Sequence, residues 1–207
     1  MNDEVLRPVD RPFDKEGGLR VVNGNVGRAI VNVSAVEEEY YRINAPARVF
    51  QSQAAFTDAF NAGELERDFV AVLSFQGPNA NGMPELHKLT PYLGVLQNQG
   101  HKVALLTDGR MSGASGKVLA AIQVSPEASA GGVIGKIRDD DMIEIDAVSG
   151  RMSVSAADDL LTRPTAESNV AAGHTGMGRE LFATFRQNVS SAETGASVFN
   201  GENDGRA

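Results

Sequence analysis

The sequence predicts an α/β domain of layered or barrel type, and three observations lead to it. Two apolar runs of strand length, Phe69–Phe75 (FVAVLSF) and Lys102–Thr107 (KVALLT), each empty into a loop rich in turn residues, as buried strands do. Between them Leu86, Leu89, Leu93 and Leu96 recur at helical spacing. Farther on, Met142–Asp146 and Met152–Ser155 flank Ser149-Gly150, a hairpin signal.

The other elements follow from local chemistry. Residues 1–18 are polar, with Pro8, Pro12 and the Gly17-Gly18 pair, and read as a linker or an arm entering from an upstream part. From Leu19 to Val33 short β-rich pieces are punctuated by Gly24 and Gly27. A strand is expected near Ala47–Phe50, then a helix over Ala54–Ala62 stopped by Gly63. Residues 76–83 (QGPNANGM) read as a loop. Pro84 suits a helix start, which puts Glu85 in the first turn, and Pro91 argues for a kink. Val118–Val124 is ambiguous between helix and strand, and Ser125–Ala128 between a helix start and a turn. Residues 156–177 read mostly as loop, with a short helix at Ala156–Leu161. Gly178–Val189 reads as an amphipathic helix with Leu181, Phe182 and Phe185 on one face. The domain proper thus covers 19–190, followed by a flexible tail over 191–207, whose GENDGRA end should fray.

Composition narrows the function. The 207 residues suffice for one domain with a real core. The net charge of −8 repels nucleic acid on average, while a local basic pocket can still take a small anion. With no cysteine, the chain has no disulfide, thiolate metal site or thiol nucleophile of its own. No apolar run is long enough to span a bilayer, and the acidic start Met1-Asn2-Asp3-Glu4 is no signal peptide. The protein reads as cytoplasmic.

Two loops carry the chemistry. DGRMSGASGK, over Asp108–Lys117, is not a phosphate loop, because Met111 stands where the first Gly is needed and Val118 where Ser or Thr is. It is not a nucleophile elbow either, because Arg110 and Ala114 stand two residues on either side of Ser112, and Lys117 two residues after Ser115, where that motif needs glycine. What remains is a strand end carrying an acid, a guanidinium and two hydroxyls on a glycine-rich backbone. That suits a ligand site or a tight turn equally. In QGPNANGMPELHK, Glu85 is either a favourable acid at a helix start or a hard oxygen ligand for Mg²⁺. His87 and Lys88 suit a solvated charged face. His87, His101 and His174 lack zinc-site spacing, and Arg138–Asp141 reads as a charged turn.

Taken together, QGPNANGMPELHKL, TDGRMSGASGK and VSPEASAGG, in this order, resemble the dihydroxy-acid/6-phosphogluconate dehydratase family over about Gly18–Gln187. The segments GMPELHKL, SGASGK and GMGRELF look like its 6-phosphogluconate branch. The resemblance implies a swivelling β/β/α domain, with a mixed barrel-like sheet flanked by helices. This domain closes over an iron–sulfur cluster held by cysteines of a missing N-terminal part, which also supplies most Mg²⁺ ligands. It implies dehydration of a sugar-acid phosphate by a full-length homodimer. It further implies Ser112 as the base, working as an alkoxide, Arg110 beside it to orient a carboxylate, and Glu85 as a Mg²⁺ ligand. Some relatives have threonine two residues after the serine; here it is Ala114, so a hydroxyl role passes to Ser115. His87, Lys88, Lys117 and Arg179 are the candidates for substrate binding, the phosphate included. Without cysteine the chain alone should be inactive. A sister dehydratase of a non-phosphorylated acid, or a stand-alone domain that binds without catalysis, are the alternatives.

Overall fold

The computed structural model describes residues 3–13, 15, 17–112, 116–156, 158–168 and 176–199. Ser115, His174 and the GENDGRA end lie outside them.

Eight strands close into a barrel. They are β1 (Leu19–Gly24), β2 (Gly27–Asn32), β3 (Arg42–Val49), β4 (Phe69–Leu73), β5 (Val103–Thr107), β6 (Leu119–Ser125), β7 (Met142–Asp146) and β8 (Arg151–Ser155). The order around the barrel is β1-β2-β6-β5-β4-β3-β7-β8, closed by β8 pairing back to β1. The middle strands β3, β4, β5 and β6 run parallel. Tight hairpins join β1 to β2 and β7 to β8. The expected α/β fold with a barrel-like mixed sheet is what forms.

Parallel neighbours need crossovers, and helices supply them. α1 (Gln53–Asn61) joins β3 to β4 and α3 (Thr90–Asn98) joins β4 to β5. α1 starts where Ser52 Oγ accepts from Ala55 N–H at 3.1 Å and ends before Gly63, which adopts φ +72°. On β4 and β5, alternate residues face opposite ways. Val70, Val72, Ala104 and Leu106 fill the barrel. Phe69, Ala71, Leu73, Val103 and Leu105 pack against α1 and α3 with Phe56, Leu93 and Leu96. Burial on both faces is why these strands read as unbroken apolar runs.

Several elements differ from the sequence reading. The ambiguous Val118–Val124 stretch is strand β6, because it bridges β5 and β2. The 76–83 loop contains a one-turn helix, α2 (Pro78–Asn81), ended by Gly82 at φ +71°. No helix begins at Pro84. Glu85 forms an isolated parallel bridge with Arg110, and a 3-10 turn at His87–Leu89 leads into α3. Pro91 sits in the first turn of α3, where its missing N–H costs nothing, so it introduces no kink. Leu86, Leu89, Leu93 and Leu96 are all buried nonetheless. The described part of Ala156–Leu161 forms bends and turns, not a helix. There Asp158 pairs with Arg163, whose guanidinium also grips Asp141 in the interior. Gly178–Val189 is two short helices, α4 (Met177–Leu181) and α5 (Ala183–Asn188), broken at Phe182. Arg186 Nη2 donates to the Arg179 carbonyl, an acceptor that a continuous helix would use for its own ladder. Leu181, Phe182 and Phe185 stay exposed. Residues 192–194 form a 3-10 turn beside β6, where Glu193 pairs with Arg28 at 3.2 Å. Among the described residues no helix is long and apolar enough to cross a membrane.

Phe56 is fully buried, with its ring 4.9 Å from Phe50 in an edge arrangement. Phe56→Ala should cost about 3–5 kcal/mol. In urea this reads as a lower unfolding midpoint with an unchanged slope.

Candidate active site

The loops after β4 and β5 leave the same edge of the barrel, because the two strands pair in parallel from Phe69↔Val103 to Leu73↔Thr107. Asp108 directly follows β5 and is fully buried. Its Oδ2 accepts from Phe75 N–H at 3.1 Å and Ala128 N–H at 2.9 Å, and its Oδ1 from Gln76 N–H at 2.8 Å. Burial pushes this carboxyl above the ordinary carboxylate range, against the opposing pull of those N–H donors. Glu127 is pushed up as well, by burial first and by its neighbour Asp108, while a bond from Ser129 Oγ pulls it down. Glu127 accepts from Asn79 N–H at 3.0 Å and so caps the start of α2. The approach of the loops is close: a Cβ on Gly77 would fall 1.6 Å from Glu127 Oε2, and one on Gly109 would fall 2.7 Å from Gln76 Cβ. Glycine is required at both places.

This frame sets Glu85 beside Arg110 and Ser112. The Leu86 N–H donates to the Arg110 carbonyl at 3.2 Å, carrying the parallel pairing past the strand ends. Glu85 Oε1 accepts from Ser112 N–H at 2.8 Å and from His87 N–H at 3.2 Å. Its Oε2 accepts from Arg110 Nη1 at 3.1 Å. Arg110 Nε donates to the Met83 carbonyl at 2.8 Å, and Gln53 Nε2 to the Glu85 carbonyl at 3.3 Å. The helix-start account of Glu85 therefore gives way to a different one. Its partners are a guanidinium and two backbone N–H groups from separate segments.

Of the residues singled out in the sequence, Glu85, His87, Arg110 and Ser112 come together. Lys88 is exposed on the 3-10 turn next to His87, and Lys117 is exposed where the serine loop ends. Gln97, buried on α3, holds that end by donating from Nε2 to the Lys117 carbonyl at 3.2 Å. Arg179 does not open a long helix but lies within one-turn α4. It packs on the 76–83 loop, donating from Nη1 to Asn81 Oδ1 at 3.0 Å and from Nη2 to the Ala80 carbonyl. Asp108, Glu127 and Gln97 have clear positioning roles that the sequence reading missed. An acid directly after a buried strand was the available signal for Asp108.

Among the described residues no three histidines or carboxylates converge on one point. Glu85 offers a single carboxylate, which suits Mg²⁺, an ion that keeps most of its waters. The Arg110 charge on Oε2 is a competitor that such an ion must share. The chain has no cysteine, so its own side chains supply no thiolate for an iron–sulfur cluster.

The family model described as Dihydroxy-acid/6-phosphogluconate dehydratase C-terminal matches residues 4–196. The chain belongs to this family. Within it, the phosphogluconate dehydratase of Pseudomonas aeruginosa is 56% identical over 199 residues, 96% of this chain and 33% of that protein. The phosphogluconate dehydratase of Rhizobium meliloti is also 56% identical, over 94% of this chain and 32% of its own length. The dihydroxy-acid dehydratase of Sulfurisphaera tokodaii is 35% identical over 94% of this chain and 34% of its own length. The chain spans about a third of the length of the curated relatives it matches.

In this family member the Asp108 carboxylate is what relates the two loops. Asp108→Asn leaves an amide NH₂ facing a backbone N–H, and the expected loss is about 1–3 kcal/mol. A raised carboxyl in the folded state means that the folded protein holds its proton longer than the unfolded chain does. Stability contributed by Asp108 therefore falls as pH rises from about 4 through the raised value. The gap between wild type and Asp108→Asn should narrow across that window, as measured by urea unfolding at successive pH values.

Proposed function

We propose that the chain is the C-terminal domain of a phosphogluconate dehydratase. This hydro-lyase converts 6-phospho-D-gluconate to 2-dehydro-3-deoxy-6-phosphogluconate, a step of the Entner–Doudoroff pathway. The observation that carries this reading is the gap in identity. Relatives named phosphogluconate dehydratase match nearly the whole chain at 47–56%, whereas the dihydroxy-acid dehydratase stands at 35%. The convergence of Glu85, Arg110 and Ser112 on one barrel edge supports a site there.

In this reading Ser112 Oγ takes the proton from C2, the C3–O bond breaks with the hydroxyl leaving as hydroxide, and that hydroxide takes up a proton to depart as water. The enol left behind becomes the ketone when C3 is protonated. The departing hydroxyl needs a Lewis acid that this chain's residues do not provide. The iron–sulfur cluster of a separate N-terminal part is assigned that task, so the chain alone is expected to be colourless and inactive. Arg110 orients the substrate carboxylate, a planar group that suits its fork. Glu85 contributes one ligand to Mg²⁺. Ser115, His87, Lys88, Lys117 and Arg179 contact the substrate. The full-length enzyme works in the cytoplasm as a homodimer.

Ser112→Ala in the complete enzyme should keep the cluster spectrum and lower kcat by about 10²–10⁴-fold, the span usual for losing a proton acceptor. Ser115→Ala, the comparison, should lose less. Near-normal turnover of Ser112→Ala would assign the proton to another group. Glu85→Gln should weaken Mg²⁺ binding, because an amide is a poorer ligand for a hard cation. Unchanged metal content and activity would leave Glu85 as a purely structural partner of Arg110.

A further inference from the structure

Beyond the serine loop, the structure holds two arginines together with no acid between them. Arg186 lines a cavity of about 420 Å³ between the 78–83 segment and α4–α5, walled by Asn81, Met83, Phe182 and Phe185. Its Nη2 donates to the Arg179 carbonyl at 2.7 Å. The Arg179 guanidinium is itself held by Asn81 Oδ1 and the Ala80 carbonyl. All these acceptors are neutral. They orient the two cations without cancelling their charge. Burial first, and then the nearby Arg186, make protonation of Arg179 less favourable than for an ordinary arginine. Among the described residues neither arginine has an ion-pair partner. By contrast Arg28, Arg42, Arg48, Arg110, Arg138 and Arg163 each reach a carboxylate. In a chain with 27 acids against 19 Lys and Arg, two partly buried arginines turned toward neutral acceptors leave a local positive site open to an anion.

We infer that Arg186, supported by Arg179, is the anchor for the phosphate monoester of the substrate. This rests on the phosphogluconate reading and deepens it. A phosphate monoester carries about −1.5 to −2 charge at neutral pH and takes a guanidinium bidentately. The site also lies beside the serine loop. Met83 lines the cavity, and its carbonyl accepts from Arg110 Nε at 2.8 Å. A sugar acid extended along the 78–83 segment would place its phosphate at Arg186 and its carboxylate end toward Arg110. Lys88 and Lys117, exposed outside this cavity, are secondary in this arrangement.

The test uses this chain with inorganic phosphate and 6-phosphogluconate as probes, followed by ³¹P NMR at constant ionic strength, with phosphate-free gluconate as a competitor that should not displace inorganic phosphate. Both phosphorylated probes should bind, and Arg186→Gln should weaken them by at least about tenfold, as losing charge-assisted bonds implies. The surface variant Arg67→Gln should leave binding unchanged. Arg186→Gln also removes the bond to the Arg179 carbonyl, so Arg186→Lys is measured beside it. Lysine keeps the charge without the fork and should fall between the two. Equal affinity in wild type and both variants, or no phosphate binding by the wild-type chain, would overturn the inference. The complete enzyme separates the two readings. If it dehydrates 6-phosphogluconate and Arg186→Gln leaves KM unmoved, the anchor is wrong and the function stands. If it acts only on non-phosphorylated acids while the chain binds phosphate through Arg186, the function falls and the anion site remains.

Discussion

One buried carboxylate, that of Asp108, accepts the N–H groups of Phe75, Gln76 and Ala128, and through them ties together the segments that follow β4, β5 and β6. Burying a carboxylate is costly unless its lone pairs are filled. Three backbone donors fill them, and charge-assisted bonds of this kind are stronger than neutral ones. Glu127 extends the device by one step, because its carboxylate holds the first N–H groups of α2. The two acids lie close enough that each charge raises the cost of the other. That proximity is tolerable because each acid accepts N–H groups from the 75–79 segment across from it. Loosening Asp108 would free both the 75–89 loop and the serine loop at once.

The geometry downstream follows from strand direction. Parallel β4 and β5 deliver their outgoing loops to one edge, where ligand sites in α/β sheets commonly gather. The bridge between Glu85 and Arg110 continues that pairing after the chain has left both strands. The side chains of these two residues are thereby on neighbouring tracks, and the salt bridge between them needs no further arrangement. Gly77 and Gly109 set the spacing, since any side chain at either position would separate the loops.

The barrel and the site were legible to different degrees, for identifiable reasons. Phe69–Leu73 and Val103–Thr107 could be read because strands buried on both faces are apolar throughout, and the β7–β8 hairpin because its turn is local. The cluster around Ser112 came from the order of motifs, not from periodicity. The helix expected at Pro84 failed because a pairing across 25 residues, Glu85 with Arg110, overrides a favourable local start. The break at Phe182 was equally hidden, since it accompanies a side chain four residues later, Arg186, reaching back to the Arg179 carbonyl. Arg138–Asp141 is the charged turn that was expected, but nothing local announces that Asp141 also meets Arg163, 22 residues away. At Glu85 and Asp141 the missing information was a long-range polar contact, and at Phe182 a side-chain bond over seven residues; hydropathy encodes neither.

The distribution of charge adds a constraint on the proposed chemistry. Arg110 stands beside Ser112 in sequence, yet its charge is matched by Glu85, whose Oε1 also takes the Ser112 N–H. The pair is therefore close to neutral. By itself it gives little help to an alkoxide on Ser112, whose parent hydroxyl is a very weak acid. A second positive centre must face that hydroxyl for the proposed base to function, and a metal ion is the usual means of stabilising such an oxyanion. Glu85 then has two tasks with opposite electrostatic demands. It holds the guanidinium in this chain, and it would offer a remaining lone pair to a cation brought against it. A carboxylate with about four acceptor sites can do both, since its present partners are two N–H groups and one guanidinium nitrogen. Arg179 and Arg186 follow the opposite principle. Carbonyl and amide oxygens set their direction but leave their charge uncancelled, so positive potential in this acidic chain gathers between the 78–83 segment and α4–α5.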